Sequence, residues 1–233
     1  MANPIMVITL SVNPEDEAAF NDFYHHQFLP EMLHEVPDIA CIRRYEEHGV
    51  GGTLRWYNKQ YLTIYELVSE RVVSKVDEFF TRPRLKSVME KFQDWKSKSL
   101  RNFTRITYLP RWEHDRKPMD GPFGSRPFFL WSLEMKPEMD SAFQDWYEND
   151  YLPLQVADIP TWAGVRRYTS VKREQVRHLT FFEAEDEQGL IRCLTELRSA
   201  HRINQNYEWN RRVEPAVSWH DATSFRPIYR RPG

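Results

Sequence analysis

The chain opens on an apolar run, Ile5 to Leu10, with β-branched side chains, which predicts a strand through Ser11. Asn13-Pro14-Glu15-Asp16 then signals a helix start, with proline in the first turn and acids beside the positive end of the helix dipole. Phe20, Phe23, Tyr24, Phe28 and Leu29 recur at helical spacing until Pro37 breaks the pattern. Residues 39–46 and 60–68 read as paired strands, 72–98 as a helix kinked near Pro83, and 102–109 as a closing strand. The order is β-α-β-β-α-β. It returns over 127–135, 138–157, 161–171, 176–184, 187–212 and 215–222.

That return is a repeat in the residues themselves. Phe20 to Tyr45 aligns without a gap on Phe143 to Tyr168, and ten of these 26 positions are identical, among them Tyr24/Tyr147, Leu29-Pro30/Leu152-Pro153 and Arg43-Arg44-Tyr45/Arg166-Arg167-Tyr168. The match resumes at Leu62-Thr63 against Leu179-Thr180, so the first copy carries six extra residues between the blocks. A domain-sized period means two copies of one module, not a solenoid. The reading is module 1 over 1–112, a linker over 113–124, module 2 over 125–224 and a basic tail over 225–233. Each module would leave one sheet face without helices. The cheapest cover is the other sheet, which gives an α+β barrel-like architecture.

Composition narrows the partners. With 32 Lys+Arg against 34 Asp+Glu, the formal charge is −2, without the basic excess that a phosphate backbone calls for. No apolar run is long enough to cross a membrane, and the N-terminus lacks the pattern of a signal peptide. Eight Trp, 11 Tyr and 14 Phe supply a core, which argues against disorder. Cys41 and Cys193 have no metal-type spacing, and two unpaired thiols suit a reducing cytoplasm.

The motif Phe-x-x-(Phe/Trp)-Tyr-x-x-x-x-Leu-Pro, followed by a Pro-led strand with Arg-Arg-Tyr, resembles the EthD-like branch of the dimeric α/β-barrel superfamily. The resemblance covers both copies. It implies two tandem ferredoxin-like modules, sheets paired as a dimeric α/β-barrel, and a small-molecule pocket between sheet and helices. Members of that superfamily include cofactor-free oxygenases, cyclases, isomerases, lyases and haem proteins, so the fold does not choose a reaction. Many EthD-like sequences carry His directly before Leu-Pro. Here Phe28 and Tyr151 stand there, and of the two only Tyr151 can donate a proton.

Strand alternation suggests which side chains meet. Arg43 and Tyr45, with Arg166 and Tyr168, are expected on the barrel-inward face, with Leu62, Ile64, Leu179 and Phe181 under the helices. That leaves Tyr61, Tyr65 and His178 inward as well. In this reading Arg43, Tyr45, Tyr61, Tyr65, Arg166 and Tyr168 bind substrate, the arginines clamping a carboxylate or an enolate. His178, Tyr151 and His26 move protons. The plainer reading is a polar barrel core in which each Arg meets an internal carboxylate.

Other histidines carry less. Glu31-x-x-His34 occurs in one copy only, and no metal site is expected. His220 lies in the last strand, where Asp221 is on the opposite face. His201, on the last helix of the second copy, fits the placement of a haem ligand in tandem barrels of the superfamily. Haem is the alternative to a cofactor-free protein. The stretch 46–60, with its glycines, Trp56 and Tyr57, reads as a lid, a clasp for a second molecule, or a long hairpin. No P-loop, G-x-S-x-G, dinucleotide fingerprint or H-E-x-x-H is present.

The function expected is a small-molecule enzyme acting by proton transfer, cyclisation, isomerisation or cofactor-free oxygenation on an aromatic, lactone or polyketide-like substrate. The alternative is a non-catalytic module that binds a small hydrophobic ligand or only assembles. A homodimer fits either, and neither nucleic acid nor membrane is an expected partner.

Overall fold

The structure is a computed structural model, and it describes residues 2–49, 58–81, 86–116, 126–171 and 175–232. The strands are β1 (Ile5–Val12), β2 (Ile39–Glu47), β3 (Gln60–Leu67), β4 (Leu100–Asp115), β5 (Phe128–Met135), β6 (Gly164–Ser170), β7 (Arg177–Glu183) and β8 (Val217–Pro232). The helices are α1 (Glu17–Phe23), α2 (Leu29–Glu35), α3 (Val73–Thr81), α4 (Lys86–Lys98), α5 (Pro137–Trp146), α6 (Leu152–Asp158), α7 (Glu187–Leu197) and α8 (Ile203–Ala216). The antiparallel strands close into a barrel in the order β1-β3-β2-β8-β5-β7-β6-β4. This is the mixed α+β, dimeric α/β-barrel architecture that the sequence pattern predicts.

The chain forms two compact units, and neither is a simple half. Of the described residues, one takes Asn3–Glu47, residues 58–109 and Pro227 onward; the other takes Ala2, residues 48–49 and Pro110–Arg226. Both boundaries fall inside the 16-residue strands β4 and β8, each time at a proline. The ends assigned to linker and tail are therefore strand: 113–115 belong to β4, and 225–232 belong to β8. Residues 117–125 and most of the 46–60 stretch lie outside the described residues.

In the first unit, β3 pairs with β1 and β2, placing Ile64 opposite both Val7 and Arg43. The β1–β4 ladder shifts between Thr9 and Ser11, and Asn102, beside that shift, takes φ 54°. Asn tolerates this left-handed conformation better than most residues. In the second unit, β5 pairs with β7 and β8, and β7 with β6. Its helix-side core gathers Trp131, Leu133, Phe143, Tyr147, Val165 and Leu190.

The first helix of each copy, expected to be continuous, is interrupted by a π-turn, at Tyr24–Phe28 and at Tyr147–Tyr151. Each π-turn runs directly into the Leu-Pro pair that opens α2 or α6. Proline has no N–H for the ladder, and its ring crowds the carbonyl four residues back, so a wider turn just before it relieves the conflict.

Candidate functional site

Antiparallel partners point to the same face of a sheet, and this corrects part of the expected site. Arg166 pairs with Phe181, and Thr169 with His178. His178 therefore shares the helix face with Val165 and Arg167, opposite to Arg166 and Tyr168. In the first copy Arg43 pairs with Ile64 and Ile42 with Tyr65, so Tyr61 and Tyr65 lie on the helix face as well. The residues expected inward thus separate. Arg43, Tyr45, Arg166 and Tyr168 occupy the helix-free face, and Tyr61, Tyr65 and His178 do not join them. His26 lies on the π-turn with its side chain 71% exposed, 3.9 Å from Asp22.

On the helix-free face the arginines meet carboxylates. Arg43 Nη1 donates to Glu66 at 2.7 Å, and Arg166 Nη1 to Glu183 at 2.8 Å, at equivalent positions of the two copies. Arg166 also pairs with Asp115 on β4. A Cβ on Gly164 would lie 3.1 Å from both Arg166 Nη1 and Asp115 Oδ1, so the missing side chain makes room for this cluster. These contacts supply the arginines with charge partners, as the plainer reading holds.

The helix faces carry a second matched pair of clusters. Arg167 lies 4.4 Å from the Tyr147 ring centre and donates to Gln144 Oε1 at 3.1 Å. His178 is fully buried, 2.9 Å from Asp140 Oδ1 and 2.9 Å from Thr169 Oγ1. Burial holds its imidazole below the ordinary value, against the pull of Asp140. In the first copy Arg44 packs over Tyr24 and Tyr61 at 4.6 and 4.5 Å, and Tyr61 donates to Glu17. Arg44 also donates to His25 Nε2 at 2.9 Å, and His25 stacks on Tyr229 at 4.7 Å.

Burial first, then the charge of Arg44 and the neighbouring His26, push His25 down to about 4. In the unfolded chain it titrates near ~6.5. Between those values the unfolded chain binds a proton that the folded chain refuses, so folding stability falls as pH drops through this window. His25→Asn is expected to lose less stability between pH 7 and pH 5 than the native chain. Urea unfolding at both pH values checks it, and equal losses would contradict it.

A cavity among the described residues lies elsewhere, on the helix side of the second copy. Open to solvent on one side, it holds about 370 Å³ between β5, β7, β8, α6 and α8. Its walls are Phe129, Trp131, Tyr151, Trp162, Phe182 and Trp209. Trp131 and Trp209 touch with ring centres 4.4 Å apart, and Trp162 and Phe182 with 5.4 Å. The polar positions are Tyr151, Gln155, Asn206, Asn210 and His220. Burial and the adjacent Tyr147 ring hold the Tyr151 phenol well above its usual value, so it stays protonated. Three buried donors, Trp162 Nε1, Trp209 Nε1 and Gln155 Nε2, have no hydrogen-bond partner among the described residues.

Of the residues expected to act, Tyr151 alone lines this cavity; His220, given little weight in the sequence reading, lines it too. The missed residues had a signal in the internal repeat. Trp131, Tyr151, Gln155 and Trp162 stand where the first copy has Ile8, Phe28, Met32 and Ile39. Those four are buried and apolar, and Phe28 stacks on Tyr24 and Phe92 at 4.9 and 4.7 Å. One fold thus accepts apolar side chains at all four positions, while in the second copy Gln155 accepts a hydrogen bond from the buried Arg202 at 2.7 Å.

Among the described lining residues of this cavity there is one imidazole, the exposed His220, and no Lys or Arg. The side chain of His201, the haem ligand that the resemblance implies, lies outside the described residues.

The fold is that of the dimeric α/β-barrel, a mixed α+β chain whose antiparallel strands close into a barrel. No family model matches the chain, and no curated protein sequence matches it. Solved structures do. A Fusobacterium nucleatum protein, named in provisional terms as a monooxygenase, superposes with a TM-score of 0.61 at 9% identity over 99% of this chain and 95% of that one. An anthrone oxidase-like protein gives 0.61 at 11% identity, covering 99% and 93%. A protein named in provisional terms as a chlorite dismutase gives 0.51 at 12%, covering 98% and 96%. At these identities the likeness is one of fold. No helix among the described residues is long and apolar enough to cross a membrane.

Proposed function

We propose that the chain is a small-molecule enzyme that works without a bound cofactor, and that its second-copy cavity takes a planar aromatic compound bearing oxygen. The observation that carries this is the cavity itself, with aromatic walls, a protonated phenol at Tyr151 and one imidazole, His220, among its lining residues. Aromatic walls favour a flat, apolar ring system, and the polar groups orient it. Imidazole is the usual side chain for moving a proton near neutral pH. His220 removes a C–H proton from the substrate, and the electron-rich anion then reacts by cyclisation, isomerisation or direct oxidation by dioxygen. The EthD-like motif in both copies is in keeping with this chemistry.

The anthrone oxidase-like neighbour suggests the probe. Anthrone and one dioxygen would yield anthraquinone and one water. The native chain in air-saturated buffer is expected to form anthraquinone above the uncatalysed rate, and His220→Ala to lower turnover by about 10²–10⁴-fold. Absorbance and oxygen uptake report both. No turnover of anthrone leaves the binding-module reading ahead, and unchanged turnover in His220→Ala removes the residue from its role.

A further inference from the structure

The first copy has the same place filled by its own side chains. Phe28 stacks on Phe92 with ring centres 4.7 Å apart, and Phe103 meets Phe92 edge-on at 5.9 Å. The repeat and the strand register give the counterparts of these three rings. Phe28 answers to Tyr151 in the gapless block, and Phe92 and Asn206 each stand three residues before a tryptophan, Trp95 and Trp209, at matching places in α4 and α8. Thr104 and Asp221 pair with the equivalent residues Thr9 and Ser132, so Phe103, one residue before Thr104, answers to His220. A fourth position agrees. Lys96 covers the Phe103 ring at 4.5 Å, and its counterpart Asn210 lines the cavity together with His220.

Three phenyl rings are thus exchanged for a phenol, a carboxamide and an imidazole, and all three of these line the cavity. The exchange uncovers them. Phe28 and Phe92 are 1% and 4% exposed, whereas Tyr151 and Asn206 are half-buried and His220 is exposed. Among the described residues none of the three makes a side-chain hydrogen bond or ion pair. Their hydrogen-bonding capacity is therefore open on the cavity side, in a wall that is otherwise aromatic. Tyr151 keeps its proton and donates, while the Asn206 amide both donates and accepts. We infer that a ring of the ligand takes the space that the Phe92 ring fills in the first copy, and that Tyr151 and Asn206 select for an oxygen carried on that ring system. They are specificity-determining contacts, and the first copy is the same site plugged by its own phenylalanines. The inference rests on the second-copy cavity being the ligand site, and it adds the residues that choose the substrate.

The test compares 2-naphthol with naphthalene, which share a ring system and differ by one oxygen, in equilibrium dialysis. The native chain is expected to bind 2-naphthol about tenfold more tightly. Tyr151→Phe and Asn206→Leu remove the hydrogen-bonding groups and keep most of the bulk. Each should lower that preference, and the double variant should bring it close to one while binding naphthalene as the native chain does. A merely structural role would move both affinities together. Asn206→Phe puts the ring of the first copy back. It is expected to weaken both ligands by about tenfold or more and to unfold in urea no earlier than the native chain. An equal affinity of the native chain for the two probes, or no binding of 2-naphthol, would overturn the inference. So would an undiminished preference in the double variant, or native binding of both probes by Asn206→Phe. Turnover is not read, so the oxygen preference can hold in a chain that leaves anthrone untouched and be missing in one that oxidises it.

Discussion

Glu183→Ala is expected to destabilise the fold by about 3–5 kcal/mol, because it strands a buried cation. Glu183 is fully buried and accepts from Arg166 at 2.8 Å, with Arg126 at 3.8 Å. Arg166 is 3% exposed, and Asp115, the other carboxylate it pairs with, has a side chain 43% exposed. Glu183→Gln keeps an acceptor and should cost less. Arg211→Ala, which breaks the fully exposed pair with Glu208, should leave the unfolding midpoint where it is. Urea unfolding of the three variants orders them. Equal midpoints for Glu183→Ala and the native chain would mean that the cluster contributes nothing.

A chain stopped after Arg226 should fail to melt cooperatively. The lost residues are the end of β8, which neighbours β2 in the strand order and belongs to the unit of the first copy. Their removal leaves β2 with unpaired N–H and C=O groups along an edge, and takes away Tyr229, which covers His25. Circular dichroism melting and size-exclusion chromatography would show a broad transition and aggregation. An unchanged, sharp transition would show that the end of β8 is dispensable.

The repeat and the order of elements were legible in the residues. Gapless identities fixed the first, and periodicity with Pro and Gly punctuation fixed the second. The facing of β3 and β7 was not legible. Alternation within a strand says which residues share a face, but only the polar side of a half-exposed strand says which face is outward. Here both faces are buried: Phe181 packs on Phe128 at 5.1 Å on one, while Phe182 packs on Trp162 at 5.4 Å on the other. Hydrophobicity then carries no sign, and His178 was placed with Arg166 when register sets them apart. The paired π-turns escaped for a related reason, since one widened turn barely disturbs helical spacing. The cavity residues were within reach. Reading the two copies for their differences, Met32 against Gln155 and Ile39 against Trp162, points to them as directly as reading for identities points to the fold.

The handover at Pro110 and Pro227 bears on how such a chain could arise. A single ancestral module whose last strand completes a foreign sheet has no finished form alone, so its natural state is an intertwined pair whose integrity depends on concentration. Gene fusion makes that exchange unimolecular and frees it from mass action. It also ends the symmetry that a homodimer imposes. In any homodimer of identical modules each substitution strikes two sites at once, whereas in a fused chain one copy can keep Phe28 and Met32 as filler while the other carries Tyr151 and Gln155.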